Sequence, residues 1–285
     1  MIISILEQGI IFGILALGVY ITYKILDFPD LTVDGSIVLG ASITAILITK
    51  DVNPFLATLI AILGGVLAGL FTGALHVHLK LSNLLSGILV GISLYSINLR
   101  IMGRPNLPFF QKKNIFSYVN LTKDFDKLLT LLIIIIIVKL LLDWFLKTQL
   151  GTLLRITGDN PQLVTSLGVN LGRMKILGLM MANGLVALSG SLLAQYQRFS
   201  DINAGIGTIV IGLAAVIIGE SLFKLKSLKT TTQVILGSIV YKAIQAFTLK
   251  LGLIATDFKL ITALILIVIL GLYHWKLDKK VEMQC

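Results

Sequence analysis

Charge is scarce in this chain. Charged side chains make up 13% of its 285 residues, about half the roughly 25% of a soluble domain, which excludes an ordinary water-soluble globule. Cysteine is nearly absent: Cys285 is the only one, so no disulfide or cysteine-based metal site can form within one chain. The three histidines, His76, His78 and His274, have no zinc-like spacing, and no metal site is expected from them. No G-x-x-x-x-G-K-[ST] phosphate loop occurs, so the chain itself is not expected to hydrolyse ATP, to bind a cofactor or to supply catalytic residues. The opening MIISILEQGI lacks a basic leader and a small-residue cleavage site, and the first apolar run is expected to be retained.

What is abundant is hydrocarbon. The chain is 56% hydrophobic with a mean hydropathy of +0.96, and it contains several runs near the ~20 residues a helix needs to cross a bilayer. The expected fold is all-α: a single polytopic transmembrane helical bundle over residues 1–285, without the short alternating strands of a barrel. The net charge of +10 does not call for nucleic acid, because Lys and Arg collect at the ends of the runs, as cytoplasmic loops require.

About nine spans are expected (eight to ten): residues 3–23, 31–49, 54–79, 84–102, 128–145, 176–195, 206–218, 230–247 and 260–275. The second includes Thr32, Asp34 and Ser36 and reads as broken or partly re-entrant. An acid inside a span is a functional candidate by default, so Asp34 and Ser36 are candidates to border a substrate path, together with Asn183 and Gln195 of the sixth span. Asn183 alternatively makes a structural bond across helices. The third span carries Gly65, Gly69 and Gly73 at GxxxG spacing, the signature of close helix packing. Phe109, Phe110, Phe116 and Tyr118 are expected at the headgroup level. Lys139 and Asp143, four apart, are expected to pair. The seventh span is short and glycine-rich, as broken helices in transporters are.

The longest polar interval but one, residues 150–175, reads LGTLLRITGDNPQLVTSLGVNLGRMK. Asp159 or Asn160 can cap a short amphipathic helix, Pro161 suits its first position, and Gly168 stops it. A capped helix where a bare loop would suffice presents a surface to something outside the membrane. The lysine-rich FKLKSLK loop and KLDKK tail share a side, taken as cytoplasmic, and counting back places residues 150–175 there too, with the N-terminus external.

Three stretches resemble the permease subunits of bacterial ABC importers of the branched-chain amino acid and ribose type. DLTVDGSIVLGA, residues 30–41, resembles the family's DLSVGS-type opening of its second span. Residues 150–175 resemble its G-x-x-x-R-A-x-G-x-N-x-x-A-A-x-x-x-G-I cytoplasmic loop through Gly151, Arg155, Gly158, Asn160, Leu167, Gly168 and Val169, with Val164 and Thr165 replacing the small pair. GIGTIVIGLAAVIIGESLF, residues 205–223, resembles its G-x-G-x-x-x-x-A-I-A-A-V-V-I-G-G segment, with Glu220 in place of the second glycine. The resemblance implies a coupling helix docking on cytoplasmic ATPase subunits through Arg155, Gly158, Asp159, Asn160, Pro161, Gln162, Leu167, Gly168 and Val169. ATP and magnesium would bind those partners. It further implies an external binding (lipo)protein, a second permease copy in a homodimer, and a multi-pass place in a bacterial cell membrane with the C-terminus cytoplasmic. The nearest resemblance is to permeases paired with binding lipoproteins for aromatic amino acids such as tryptophan or tyrosine. An ion-coupled secondary transporter, an integral-membrane enzyme, and import of a nucleoside or sugar are the alternatives.

Overall fold

The computed structural model describes residues 2–118, 125–223 and 228–250, with isolated positions at 260, 263, 264, 267 and 271. Ten α-helices occur in the described residues: α1 (Ile2–Val19), α2 (Thr32–Thr49), α3 (Pro54–His78), α4 (Asn83–Met102), α5 (Asp126–Phe145), α6 (Gln149–Asp159), α7 (Pro161–Ser166), α8 (Leu171–Gln197), α9 (Thr208–Leu222) and α10 (Thr230–Lys250). A π-helical turn, Tyr20–Ile25, continues α1, and β1 (Asn106–Pro108) pairs antiparallel with β2 (Phe199–Asp201). Local chemistry sets many boundaries. The Asn53 side chain accepts from the Phe55 N–H with Pro54 at the first helical position of α3, and Ser82, Thr148 and Asn170 likewise cap α4, α6 and α8.

Seven helical segments are long and apolar enough to cross a membrane, the last being Ile202–Leu222, a 3-10 turn (Ile202–Gly205) followed by α9. α10 does not reach that threshold, and most of the expected ninth span, 260–275, lies outside the described residues.

α8 is the central post. Gly73, Gly69 and Gly65 of α3 face Ile176, Leu179 and Asn183 of α8 in that order, so the two run antiparallel at backbone contact; a side chain at those glycines would force them apart. α2 runs parallel to α8, with Ser36 bonded to Asn183 and Thr44 to Ser191 at 2.6 and 2.7 Å. α1 packs on another face, where Ser189 donates to the Ile11 carbonyl. These directions collect α6, α7 and the turns before α2 and α4 at one end of the bundle. β1, β2 and the α2–α3 turn collect at the other.

The break expected in the second span is not there. α2 is continuous through Asp34 and Ser36 because its polar groups find partners: Thr32 on Thr72 of α3 at 2.7 Å, Ser36 on Asn183, and Asp34 on α9. A discontinuity does precede α9, at the short seventh span. From the end of α8 the chain turns back through β2 and the 3-10 turn, and α9 begins beside Asp34, against whose carbonyl Gly205 packs. At 15 residues α9 spans about 22 Å, less than the ~30 Å hydrocarbon layer. The irregular backbone leading to it is enclosed and satisfied by the β1–β2 ladder and by the bonds Ile202 N–H to Pro105 O and Phe109 N–H to Arg198 O, both 2.9 Å.

This folded-back segment also corrects the headgroup-level expectation for two of the four aromatics. Phe109 and Phe116 are buried in the core, whereas Phe110 and Tyr118 are exposed. Asn114 Nδ2 and the Ile115 N–H bond Gln195, pinning the segment to α8.

Candidate functional site

At the α6–α7 end the capping read from sequence is realised in detail. Asn160 Oδ1 accepts from the Leu163 N–H at 3.2 Å, Pro161 occupies the first position of α7, and Gly168 follows with φ +73°. The polar stretch is two helices, since α6 precedes α7. Leu154 of α6 and Val164 of α7 are fully buried and anchor the pair. Gly158 lies against the Ile25 carbonyl, which fixes α6 on the end of α1, so this residue positions the helices. Asp159, Asn160, Pro161, Gln162, Leu167 and Gly168 are exposed, and Val169 is half-buried. Leu163 and Leu167, 45% and 57% exposed, put apolar side chains on that outward surface. Arg155 turns from it and lines a cavity of about 260 Å³ with Tyr20, Lys147 and Lys229. Close by, Asp143 accepts from Lys139 and Lys229, both at 2.9 Å, and from Thr231 at 2.6 Å, so the expected Lys139–Asp143 pair forms as part of a larger cluster.

Inside the bundle the four candidate path residues separate into two groups. Ser36, Asn183 and Gln195 are fully buried and bonded within the chain. Ser36 donates to Asn183 Oδ1, and Asn183 Nδ2 donates to Asp30 Oδ2 at 2.8 Å and to the Leu179 carbonyl at 3.0 Å. Gln195 Nε2 donates to Thr58 at 2.9 Å and its Oε1 accepts from the Ile115 N–H. Asn183 therefore makes the cross-helix bond. Asp34 stands apart as the N-terminal cap of α9: Oδ2 accepts from the Gly207 N–H at 2.8 Å, and Oδ1 from the Ile209 N–H at 2.8 Å and the Thr208 hydroxyl at 3.0 Å. The carboxylate meets the positive end of the helix dipole and satisfies two of its free N–H groups.

Asp34 also borders a cavity of about 270 Å³ between α2, α4 and the turn before α9, where Tyr95 and Asn98 supply further polar groups. Neither residue stands out in sequence, because both share their stretch with Ser93, Ser96 and Arg100 and nothing local sets them apart. Asp30, in the acidic stretch before α2, is not singled out by sequence either. It is 1% exposed and accepts from the Thr32 N–H and Asn183. His76 is engaged at both ring nitrogens, by the Leu81 carbonyl at 2.8 Å and Lys175 Nζ at 3.0 Å.

The family model described as the permease component of the branched-chain amino acid transport system matches residues 1–271. The chain belongs to this permease family. It is 54% identical over 271 residues, 95% of its length and 90% of the relative's, to a protein of Clostridioides difficile named tyrosine transport system permease protein. It is 36% identical over 274 residues, 94% of its length and 96% of the relative's, to the uncharacterized protein RP368 of Rickettsia prowazekii. A structure described as PsaBC from Streptococcus pneumoniae in complex with Fab covers 84% of this chain and 88% of its own at 14% identity and a TM-score of 0.42, too distant to carry an argument.

In this permease the three stretches that carried the resemblance occupy connected places. Residues 30–41 hold Asp30 and Asp34, residues 150–175 form α6, α7 and the start of α8, and residues 205–223 form α9 with its cap. Glu220, where the family pattern has glycine, reaches Lys24 at 3.6 Å. The close approach at this turn is made by Gly219, packed against the Gln233 carbonyl of α10.

Proposed function

We propose that this chain is the membrane-spanning subunit of an ATP-driven importer of an aromatic amino acid, tyrosine above all. The observation that carries the coupling half of the reading is α7: a helix of six residues, capped at both ends, held from beneath by Val164, with Leu163 and Leu167 turned outward. Apolar side chains left on a rigid, water-facing turn mark a protein-binding surface. A cytoplasmic ATPase subunit is the partner that the family implies, with an external binding protein delivering the solute and the C-terminus inside the cell. The 54% identical tyrosine permease supports the substrate class.

In this reading the conducting path runs along α4, which is supported by Tyr95, Ser96 and Arg100 being exposed on a span. Polar side chains on a span belong against a partner helix or a water-lined path, and a second copy of the chain closes the path from the opposite side. The ion-driven alternative needs a carboxylate with capacity to spare, and both oxygens of Asp34 are engaged by α9.

The test is co-purification. With a tag on this chain and its neighbouring genes co-expressed, an ATPase subunit should remain bound in detergent. The pair Leu163→Asp and Leu167→Asp should release it while leaving the permease inserted. Full uptake by the chain alone would rule the coupling reading out.

A further inference from the structure

The cavity beside Asp34 has a chemical character of its own. Its walls are mainly apolar, formed by Leu31, Val38, Ile88, Ile92, Ile202 and Ile206. At about 270 Å³ it holds the volume of roughly nine waters at ~30 Å³ each and falls just below the ~300–1,000 Å³ of pockets that enclose whole drug-sized ligands. It suits one end of a small solute. No basic side chain lines it, so it offers a carboxylate no counter-charge, and both oxygens of its one acid, Asp34, are committed to α9.

One group in its wall is left over. Asn98 of α4 is 1% exposed, its Nδ2 donates to the Gly35 carbonyl at 3.1 Å, and its Oδ1 has no hydrogen-bond partner. The amide cannot be turned over to cure this, because Oδ1 would then face the Gly35 carbonyl, acceptor against acceptor. A buried acceptor without a donor is costly; Asn98 is among the residues lining the cavity, and its Oδ1, closed off in this state, meets a ligand when the side chain shifts toward that space. The missing piece is a ligand group that is flat or compact, apolar over most of its surface, and equipped with one donor. A phenol has that description; an ammonium or a zwitterion does not.

We infer that this cavity receives the side-chain end of a phenolic amino acid during transport, with the phenol hydroxyl donating to Asn98 Oδ1. The inference rests on the amino-acid importer reading above and adds to it the residue that separates tyrosine from phenylalanine. A site built to bond a hydroxyl rejects the analogue lacking it, because its own buried polar group is then left unpaired.

Two substitutions test it in the complete assembly, reconstituted in vesicles with its binding protein, with ATP-driven uptake of tyrosine and of phenylalanine measured separately at concentrations that saturate the binding protein. Asn98→Leu keeps the volume and removes the acceptor. It should lower tyrosine uptake about tenfold or more and leave phenylalanine uptake, already low in the wild type, undiminished or raised. Gly91→Val is the second. A Cβ at Gly91 meets only the Leu31 carbonyl at 3.5 Å, ordinary contact, so the helix tolerates it while the added methyls fill the cavity. It should abolish uptake of both amino acids in an assembly that still co-purifies.

Equal loss of both amino acids in Asn98→Leu, or loss of neither, overturns the inference. So does normal uptake by Gly91→Val, which decides the matter by itself should Asn98→Leu not assemble. If the wild-type assembly imports neither amino acid, the importer reading fails first. If it imports tyrosine and the variants match it, the inference about the cavity falls and the importer reading stands.

Discussion

Replacing Asp34 by alanine should loosen α9 before it affects anything else. The carboxylate accepts three bonds from the first turn of that helix, two from backbone N–H groups and one from Thr208. Its loss strands two partly buried donors at ~1–3 kcal/mol each and removes a charge from the positive end of a dipole, worth up to ~1 kcal/mol where solvent reaches it. A total near 3 kcal/mol is expected, which at roughly 2–4 °C per kcal/mol lowers the midpoint of thermal unfolding by about 6 °C or more. Asp34→Asn keeps one acceptor and should lose about half as much. The chain has two tryptophans, Trp144 and Trp275, whose fluorescence reports unfolding in lipid nanodiscs. Hydrogen exchange should accelerate most at residues 207–209. If Asp34→Ala unfolds at the wild-type temperature while uptake collapses, the capping argument is wrong and the carboxylate acts on the solute.

Two further substitutions address the frame. Gly69→Val places a side chain against the backbone of Leu179, with Met180 Cα only 2.8 Å from the new Cβ. The α3–α8 contact cannot form, and the variant should fail to give a monodisperse peak in size-exclusion chromatography; a normal peak would show that α3 can shift freely. Asp143→Ala leaves Lys139 and Lys229 without their carboxylate. As those lysines are 23% and 52% exposed, the expected cost is about 1–3 kcal/mol, below the ~3–5 of a fully buried pair. A double-mutant cycle with Lys139→Met in thermal unfolding should recover part of that loss, and strict additivity would refute the pairing.

What sequence discloses here is what is local. The Asn160–Pro161–Gly168 signature places α7 because a cap depends on its immediate neighbours, and the glycine spacing of α3 predicts a close contact because helical geometry alone aligns those residues. Of the two spans that read as broken, the second is misread for the opposite reason. Thr32, Asp34 and Ser36 look like loop residues until their partners on three other helices are known, and none of those partners is near in sequence. Phe109 and Phe116 read as interfacial because nothing in 103–118 announces that it folds back between helices. Asn98 is the extreme case. What matters about it is a bond it does not make, and no pattern of residues encodes that.

The cap on α9 also has a history. Asp34 and the Gly207 N–H it accepts from are separated by 173 residues, so at ~5–20 residues per second the carboxylate is synthesised roughly ten to thirty seconds before its partner exists. Throughout that interval α2 carries an acid with no helix end to meet it, in a setting where an uncompensated charge is expensive. The half-made chain thus carries a marker of its own incompleteness, which disappears when α9 arrives. Truncated or stalled products would retain that marker, and a membrane protease or insertion chaperone that samples spans for unpaired acids would have a direct means of telling them from the finished protein.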